Sequence, residues 1–415
     1  MTKLTIIDLF SGAGGLTEGF RSKNFEILGH VEMNKAACTT LELRDAFYWL
    51  KNKNEIQLYS DFLNGDLPLN ELLSKVDQKL LHRTLNVTMS RQTLQSIFDF
   101  FDKSLCGGNV DGVIGGPPCQ AYSTIGRARN APKKSTDERI YLYKYYIEFL
   151  NRYNPKFFVF ENVKGLKSFR DIDGKLLLPK MKKEFESAGY SLGVKTIDMS
   201  AYGVPQTRER VIIYGVPKKN RSQISRFFKY LQQTMEPAVN VKEVFADLPA
   251  LTAGQEINRY SGEPNSFIKC NYRCMANIPL TQNISRPNSE TDLKIYRQVV
   301  LAKRKGENLK YDNLPLQLQK HKHKDIFLDR FKVLDSCKPA HTIVAHIAKD
   351  GHHYIHPDIA QNRSITVREA ARLQGFPDDY YFETSRTQAF LQIGNAVPPI
   401  FSRKIAASVS KLMLS

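Results

Sequence analysis

Residues Lys3–Gly15 read Lys-Leu-Thr-Ile-Ile-Asp-Leu-Phe-Ser-Gly-Ala-Gly-Gly, a short apolar and β-branched run that stops at a glycine-rich turn. A run of this length bounded by glycines predicts a buried strand. From Thr17 to Phe20 the pattern becomes helical. Strand, glycine turn and helix in that order open a doubly wound α/β domain. Working outward, Ile27–Glu32 reads as a second strand ending in an acid. Val110–Gly115 and Phe157–Glu161 read as buried strands with a helix over Tyr141–Leu150 between them, and Val211–Gly215 as another strand. Such alternation predicts a mostly parallel sheet with helices on both faces.

Two stretches break the rhythm. Residues 67–108 are rich in Leu, Lys, Gln and Asn and read as a helical insertion. Residues 218–335 decay into short polar, basic segments that hold 21 lysines and arginines against 12 acids. Half of the chain's formal charge of +18 therefore lies in little more than a quarter of its 415 residues. Unstructured loops of that length are rare, so a second, smaller domain is expected there. The organisation predicted is a catalytic unit at 1–217, the basic domain at 218–345 and a C-terminal segment at 346–415 returning to the first unit. The charge makes a polyanion the first partner to consider. No apolar run approaches the roughly 18 residues of a membrane span. The six cysteines are too scattered for a disulfide scaffold, which fits a reducing, cytoplasmic setting. Seven of the nine histidines fall between His321 and His356, but their spacing matches no zinc pattern and no metal is expected.

The chemistry-bearing residues follow from position. The turn after the first strand is not G-x-G-x-x-G and lacks the lysine of a phosphate-cradling loop, although glycine turns of this kind also serve NAD and FAD. Glu32, ending the second strand, is placed to accept bonds from ribose hydroxyls. Cys119 follows a buried strand in Gly115-Gly116-Pro117-Pro118-Cys119-Gln120, a turn ill suited to core packing, and is a candidate nucleophile. In Gln206-Thr207-Arg208-Glu209-Arg210, strand alternation puts both arginines on one face.

Together, DLFSGAGG, GGPPCQAYS, FENV, QTRER, TVREAARLQGFPDDY and QIGNAVPP resemble, in order, the signature motifs of the DNA (cytosine-5)-methyltransferases. The resemblance spans Asp8 to Pro399 and implies a Rossmann-like S-adenosylmethionine-dependent fold with a target-recognition domain. It implies that Cys119 adds to C6 of a flipped-out cytosine, that Glu161 protonates or hydrogen-bonds N3, and that Arg210 holds O2 with Arg208 facing the same pocket. For S-adenosylmethionine it implies that Phe10 stacks on adenine, that the backbone at Gly12 and Gly14 approaches the methionine moiety, and that Glu32 binds the ribose. Met33, where an aromatic residue is usual, would cover the adenine, and Asp61 would take its amino group. Pro117, Asn395 and Val397 would complete the cofactor site. Gln120, Ser123 and Thr342 match DNA-contacting positions, and Ala121–Asp137 has the composition of a loop that closes over DNA.

The resemblance further implies duplex DNA as partner, a monomer in a bacterial cytosol near the nucleoid, and a modification role beside a restriction endonuclease of the same site. An RNA-directed member of the superfamily and a catalytically silent DNA-binding homologue are the alternatives. A nucleotide-dependent oxidoreductase, admissible on the glycine turn alone, lacks hydride-transfer groups downstream.

Overall fold

The computed structural model describes residues 3–118, 122, 137–275, 278–320 and 327–414. Its centre is a seven-stranded sheet made of β1 (Leu4–Leu9), β2 (Phe25–Glu32), β3 (Thr84–Asn86), β4 (Gly112–Gly115), β5 (Phe157–Val163), β6 (Tyr190–Asp198) and β8 (Glu209–Pro217). The short strand β7 (Gln206–Thr207) lies outside it. The order is β3–β2–β1–β4–β5–β8–β6, and only β8 runs against its neighbours. This is the mostly parallel, doubly wound sheet expected. Strand alternation divides the core into two layers. Ile6, Ile27, Val159, Ile212 and Tyr214 point to one face, and Ile7, Val31, Phe158, Phe160, Val211 and Ile213 to the other. Helices Arg91–Leu105, Tyr143–Tyr153 and Leu177–Ser187 cover the second layer.

The first layer is closed by helix Gly15–Phe20 and by the C-terminal helix Pro399–Met413, which pack against each other with Gly19 against the backbone of Ser402. The returning segment thus meets the first unit at its first helix. A Cβ on Gly19 would overlap the backbone of Ser402, so only glycine allows this approach.

Two expected boundaries move. The stretch expected as an insertion at 67–108 contains β3, which pairs with β2, and helix Arg91–Leu105, which buries Ile97, Phe98 and Phe101 on the sheet. Three strand residues among polar neighbours left no periodicity to find. The start of the basic domain at 218 is also too early. Helix Gln223–Gln232 belongs to the sheet, where Phe227 stacks on Tyr214 at 3.9 Å between ring centroids. A separate apolar cluster begins with Ile295 and Tyr296 on helix Glu290–Arg304 and includes Tyr311, Leu318, Phe331 and Ile355. It is joined to the sheet side by β7, which pairs with β9 (Ala340–His341). No helix among the described residues is long and apolar enough to cross a membrane.

Candidate active site

The sheet order reverses between β1 and β4, and in such sheets a crevice opens beyond the carboxyl ends of the two strands at that point. Both glycine turns of the sequence empty into it. On the β1 side the chain leaves Leu9 through Phe10, a phenylalanine in the left-handed region at φ 56°. Backbone strain of this kind in a bulky residue collects at functional sites. Gly12 follows at φ 54°, and a Cβ there would meet nothing within 4 Å, so the turn faces open space. The carboxylate of Glu32 accepts the Gly12 N–H at 2.8 Å and the Asn34 N–H at 2.7 Å. These bonds lock the acid to the turn, while burial still raises its pKa. Gly14 packs under Leu41 and Tyr380, whose hydroxyl donates to the carbonyl of Ala13. Met33 is exposed beside Glu32.

These groups fit a nucleoside bearing an amino-acid tail, with a carboxylate for the ribose, an aromatic ring and a thioether for the base, and free space over Gly12 for the tail. Asn395, exposed at the end of helix Arg386–Asn395, and buried Val397 border the same turn, since a Cβ on Gly15 would overlap the Val397 carbonyl. Asp61 does not belong here. It lies in helix Ile56–Asn64 and accepts from Gln57 at 2.8 Å, while its neighbours Tyr59 and Phe62 pack towards Phe47 and Tyr381. The residue at the end of β3, opposite Glu32, is Asn86, whose amide donates to the carbonyls of Glu32 and Met33 at 3.2 and 3.0 Å. Asn86, not Asp61, thus lies beside Glu32. Recognising β3 would have found it.

On the β4 side the chain is squeezed between its neighbours. A Cβ on Gly115 would overlap the carbonyl of Leu9, and one on Gly116 would lie 2.9 Å from the carbonyl and 3.0 Å from Oε2 of Glu161. The double glycine therefore lets the turn run against Glu161. Next to it, Asn162 is fully buried and donates to the carbonyl of Pro117 at 3.1 Å, tying β5 to the loop that leads to Cys119. Cys119, Gln120 and Ser123, with most of the expected closing loop, lie outside the described residues.

Glu161 Oε1 pairs with Arg210 Nε at 3.1 Å, and both side chains are nearly buried. Burial raises the Glu161 pKa, outweighing the opposing charges of Arg210 and Arg208. Arg208 does not face the pocket with its neighbour. Its guanidinium is buried and donates to the carbonyl of Ile343 at 2.7 Å and that of Ala396 at 3.0 Å. The strand breaks at Arg208, where β7 ends and β8 begins, so the alternation assumed for the two arginines does not carry across. Arg208 is a positioning residue joining the catalytic strand to the segment around Asn395. Gln206 assists it by accepting the Ile343 N–H at 2.9 Å and donating to Gln374 at 2.7 Å. The Thr342 hydroxyl donates to the Thr207 carbonyl at 2.6 Å, so its proton joins two segments and is not offered to a phosphate.

Comparison with known proteins agrees with this architecture. The family model for C-5 cytosine-specific DNA methylases matches residues 4–73 and 72–411. The type II methyltransferase M.Bpa9945I of Bacillus paralicheniformis is 38% identical over 99% of both chains. M.AgeI of Thalassovita gelatinovora is 28% identical over 97% of this chain and 98% of its own. Among solved structures, the S. pombe Dnmt2 methyltransferase superposes with a TM-score of 0.55 at 13% identity, covering 99% of this chain and 100% of that one, a likeness of fold. The order of the sheet, the two glycine turns and these matches lead to one conclusion: the chain belongs to the C-5 cytosine-specific DNA methylases, enzymes that use S-adenosylmethionine to methylate cytosine in DNA.

Proposed function

We propose that the protein methylates C5 of a cytosine flipped out of a specific duplex sequence, through a covalent bond between Cys119 and C6. The observation that carries this reading is the buried Glu161–Arg210 pair set against Gly116, on the turn that delivers Cys119. C5 of cytosine is a weak nucleophile until C6 is attacked. The Cys119 thiolate forms the S–C6 bond, and the ring's electron pair moves towards N3 and C5. Glu161, whose pKa is raised by burial, donates a proton or hydrogen bond to N3, and Arg210 binds O2 and keeps the carboxyl in place. Phe10, the turn at Gly12, Glu32, Met33, Asn86, Pro117, Asn395 and Val397 would hold S-adenosylmethionine, which would supply the methyl group to C5 and leave as S-adenosylhomocysteine. Loss of the C5 proton to a base, departure of the thiolate and return of the N3 proton to Glu161 would then restore the aromatic ring. The target must leave the stack, because neither C5 nor C6 is open to attack within it. Similarity to type II methyltransferases supports a protective role for the monomer beside an endonuclease that reads the same site.

The test is a duplex carrying 5-fluorocytosine, which cannot lose a C5 proton and so traps the adduct. With S-adenosylmethionine the protein should form a complex that survives denaturation, and Cys119→Ala should form none. A wild-type protein that methylates DNA but is never trapped would sink the covalent route.

A further inference from the structure

We propose that His341 determines specificity: its Nδ1 accepts a hydrogen bond from the exocyclic amino group of an adenine or cytosine in the major groove of the bound duplex. This rests on the DNA-methylating function above and names a residue that selects the sequence. His341 lines a groove of about 440 Å³ together with Lys303, Lys310, Lys332, Phe331 and Val333. The groove lies beside the catalytic strand, because His341 pairs with Thr207, three residues before Arg210. At about 5 Å between strands and about 3.3 Å per residue, His341 is within about 15 Å of Arg210. Stacked bases rise by about 3.4 Å, so the groove falls within a few base pairs of the reacting cytosine.

The ring is held in one orientation and one tautomer. Its Nε2 lies 2.5 Å from the carbonyl of His353. A carbonyl only accepts, so Nε2 carries the hydrogen and Nδ1 of the neutral ring keeps its lone pair. The imidazole stacks on Tyr354 with centroids 5.0 Å apart and planes 19° apart. Tyr354 is itself fixed, donating to the Thr342 carbonyl at 2.9 Å and accepting the Val344 N–H at 3.0 Å. Burial and the charge of Lys332 push the His341 pKa down to about 4, so the lone pair persists at neutral pH. Nδ1 has no hydrogen-bond partner among the described residues. The amide of Asn308, in the same wall, can rotate to offer a donor or an acceptor, whereas His341 offers one sense only. Major-groove amino groups belong to adenine and cytosine, so a fixed acceptor separates them from thymine and guanine at the base it faces. Lys332 is paired with Asp329 at 2.7 Å in the same wall, which leaves Lys303 and Lys310 to supply phosphate attraction without sequence preference.

Cytosine methylation is mapped in DNA from cells expressing the wild type, His341→Phe or His341→Asn. His341→Phe keeps a ring to stack on Tyr354 and removes the acceptor. Its methylated context should widen at one base pair and remain fixed elsewhere. Should it fail to fold, His341→Asn reports the same position by accepting bases that offer either donors or acceptors. In duplexes of the mapped site, replacing that base by an analogue without its exocyclic amino group should lower wild-type kcat/KM about tenfold, the scale of one hydrogen bond, and leave His341→Phe unchanged. An unaltered context with a uniform loss of activity would make His341 merely structural and overturn the proposal. Relaxation that follows a guanine amino group in the minor groove would overturn it too. Absence of methylcytosine in wild-type cells would instead overturn the methyltransferase function, and this inference with it.

Discussion

Glu161 and Arg210 are bonded to each other, yet the carboxyl keeps a raised pKa, because burial favours its neutral form more than the guanidinium favours its charged form. That balance suits an acid that must hold a proton for N3 and still be oriented. The sign of the pH effect follows. The protonated form is the donor, so kcat should fall as pH rises through the raised pKa. Glu161→Gln keeps the shape and a donor but cannot transfer a proton. Its kcat should drop by about 10²–10⁴-fold and lose the alkaline limb, with DNA affinity retained. A pH profile of single-turnover methylation checks both. A rate within tenfold of wild type would remove Glu161 from the chemistry. Arg208 shows how far residue type alone can mislead, since two arginines in one motif divide into a partner of Glu161 and a buried clip on the Ile343 and Ala396 carbonyls.

Elements were legible where their patterns were long or their neighbours apolar. β1, β2, β4, β5 and β8 each carry apolar runs, and the reading placed them within a few residues of where they lie. β3 has three residues and β6 alternates weakly around Gly193 and Lys195, so neither announces itself. Missing β3 led to Asp61 where the structure places Asn86 beside Glu32, and made a crossover helix look like an insertion. The close packing of helix Gly15–Phe20 on helix Pro399–Met413 was equally invisible, because a glycine in a sequence does not say which backbone approaches it. It can be tested as a helix–helix property. Gly19→Ala should destabilise the protein by about 1–3 kcal/mol, since neither backbone can yield without moving its helix. Thermal unfolding reads the loss, and hydrogen exchange should locate it in residues 399–413. Protection there equal to wild type would mean that the helices pack less tightly than the structure shows.

Across the whole molecule, the +18 charge is shared between the sheet and the basic region, because Lys218, Lys219, Arg221, Arg226 and Lys229 lie on or beside the helix Gln223–Gln232 that packs on the sheet. The sheet holds the Glu161–Arg210 pair to which the proposed chemistry is assigned, and the cluster around Tyr296 and Phe331 borders a groove lined by Lys303, Lys310 and His341. Binding and catalysis should therefore separate in experiment. Each lysine that contacts a phosphate releases counterions and adds about 0.9 to the slope of log affinity against log salt. Replacing Lys303 and Lys310 with glutamine should lower that slope by about 2 and weaken DNA binding most at low salt. KM for DNA should rise by more than kcat falls, because neither lysine pairs with Glu161 or Arg210. Binding titrations at four or more salt concentrations, run beside single-turnover rates at saturating DNA, distinguish the two effects. An unchanged slope would place the duplex on another surface, and His341 with its groove would then lie away from the DNA.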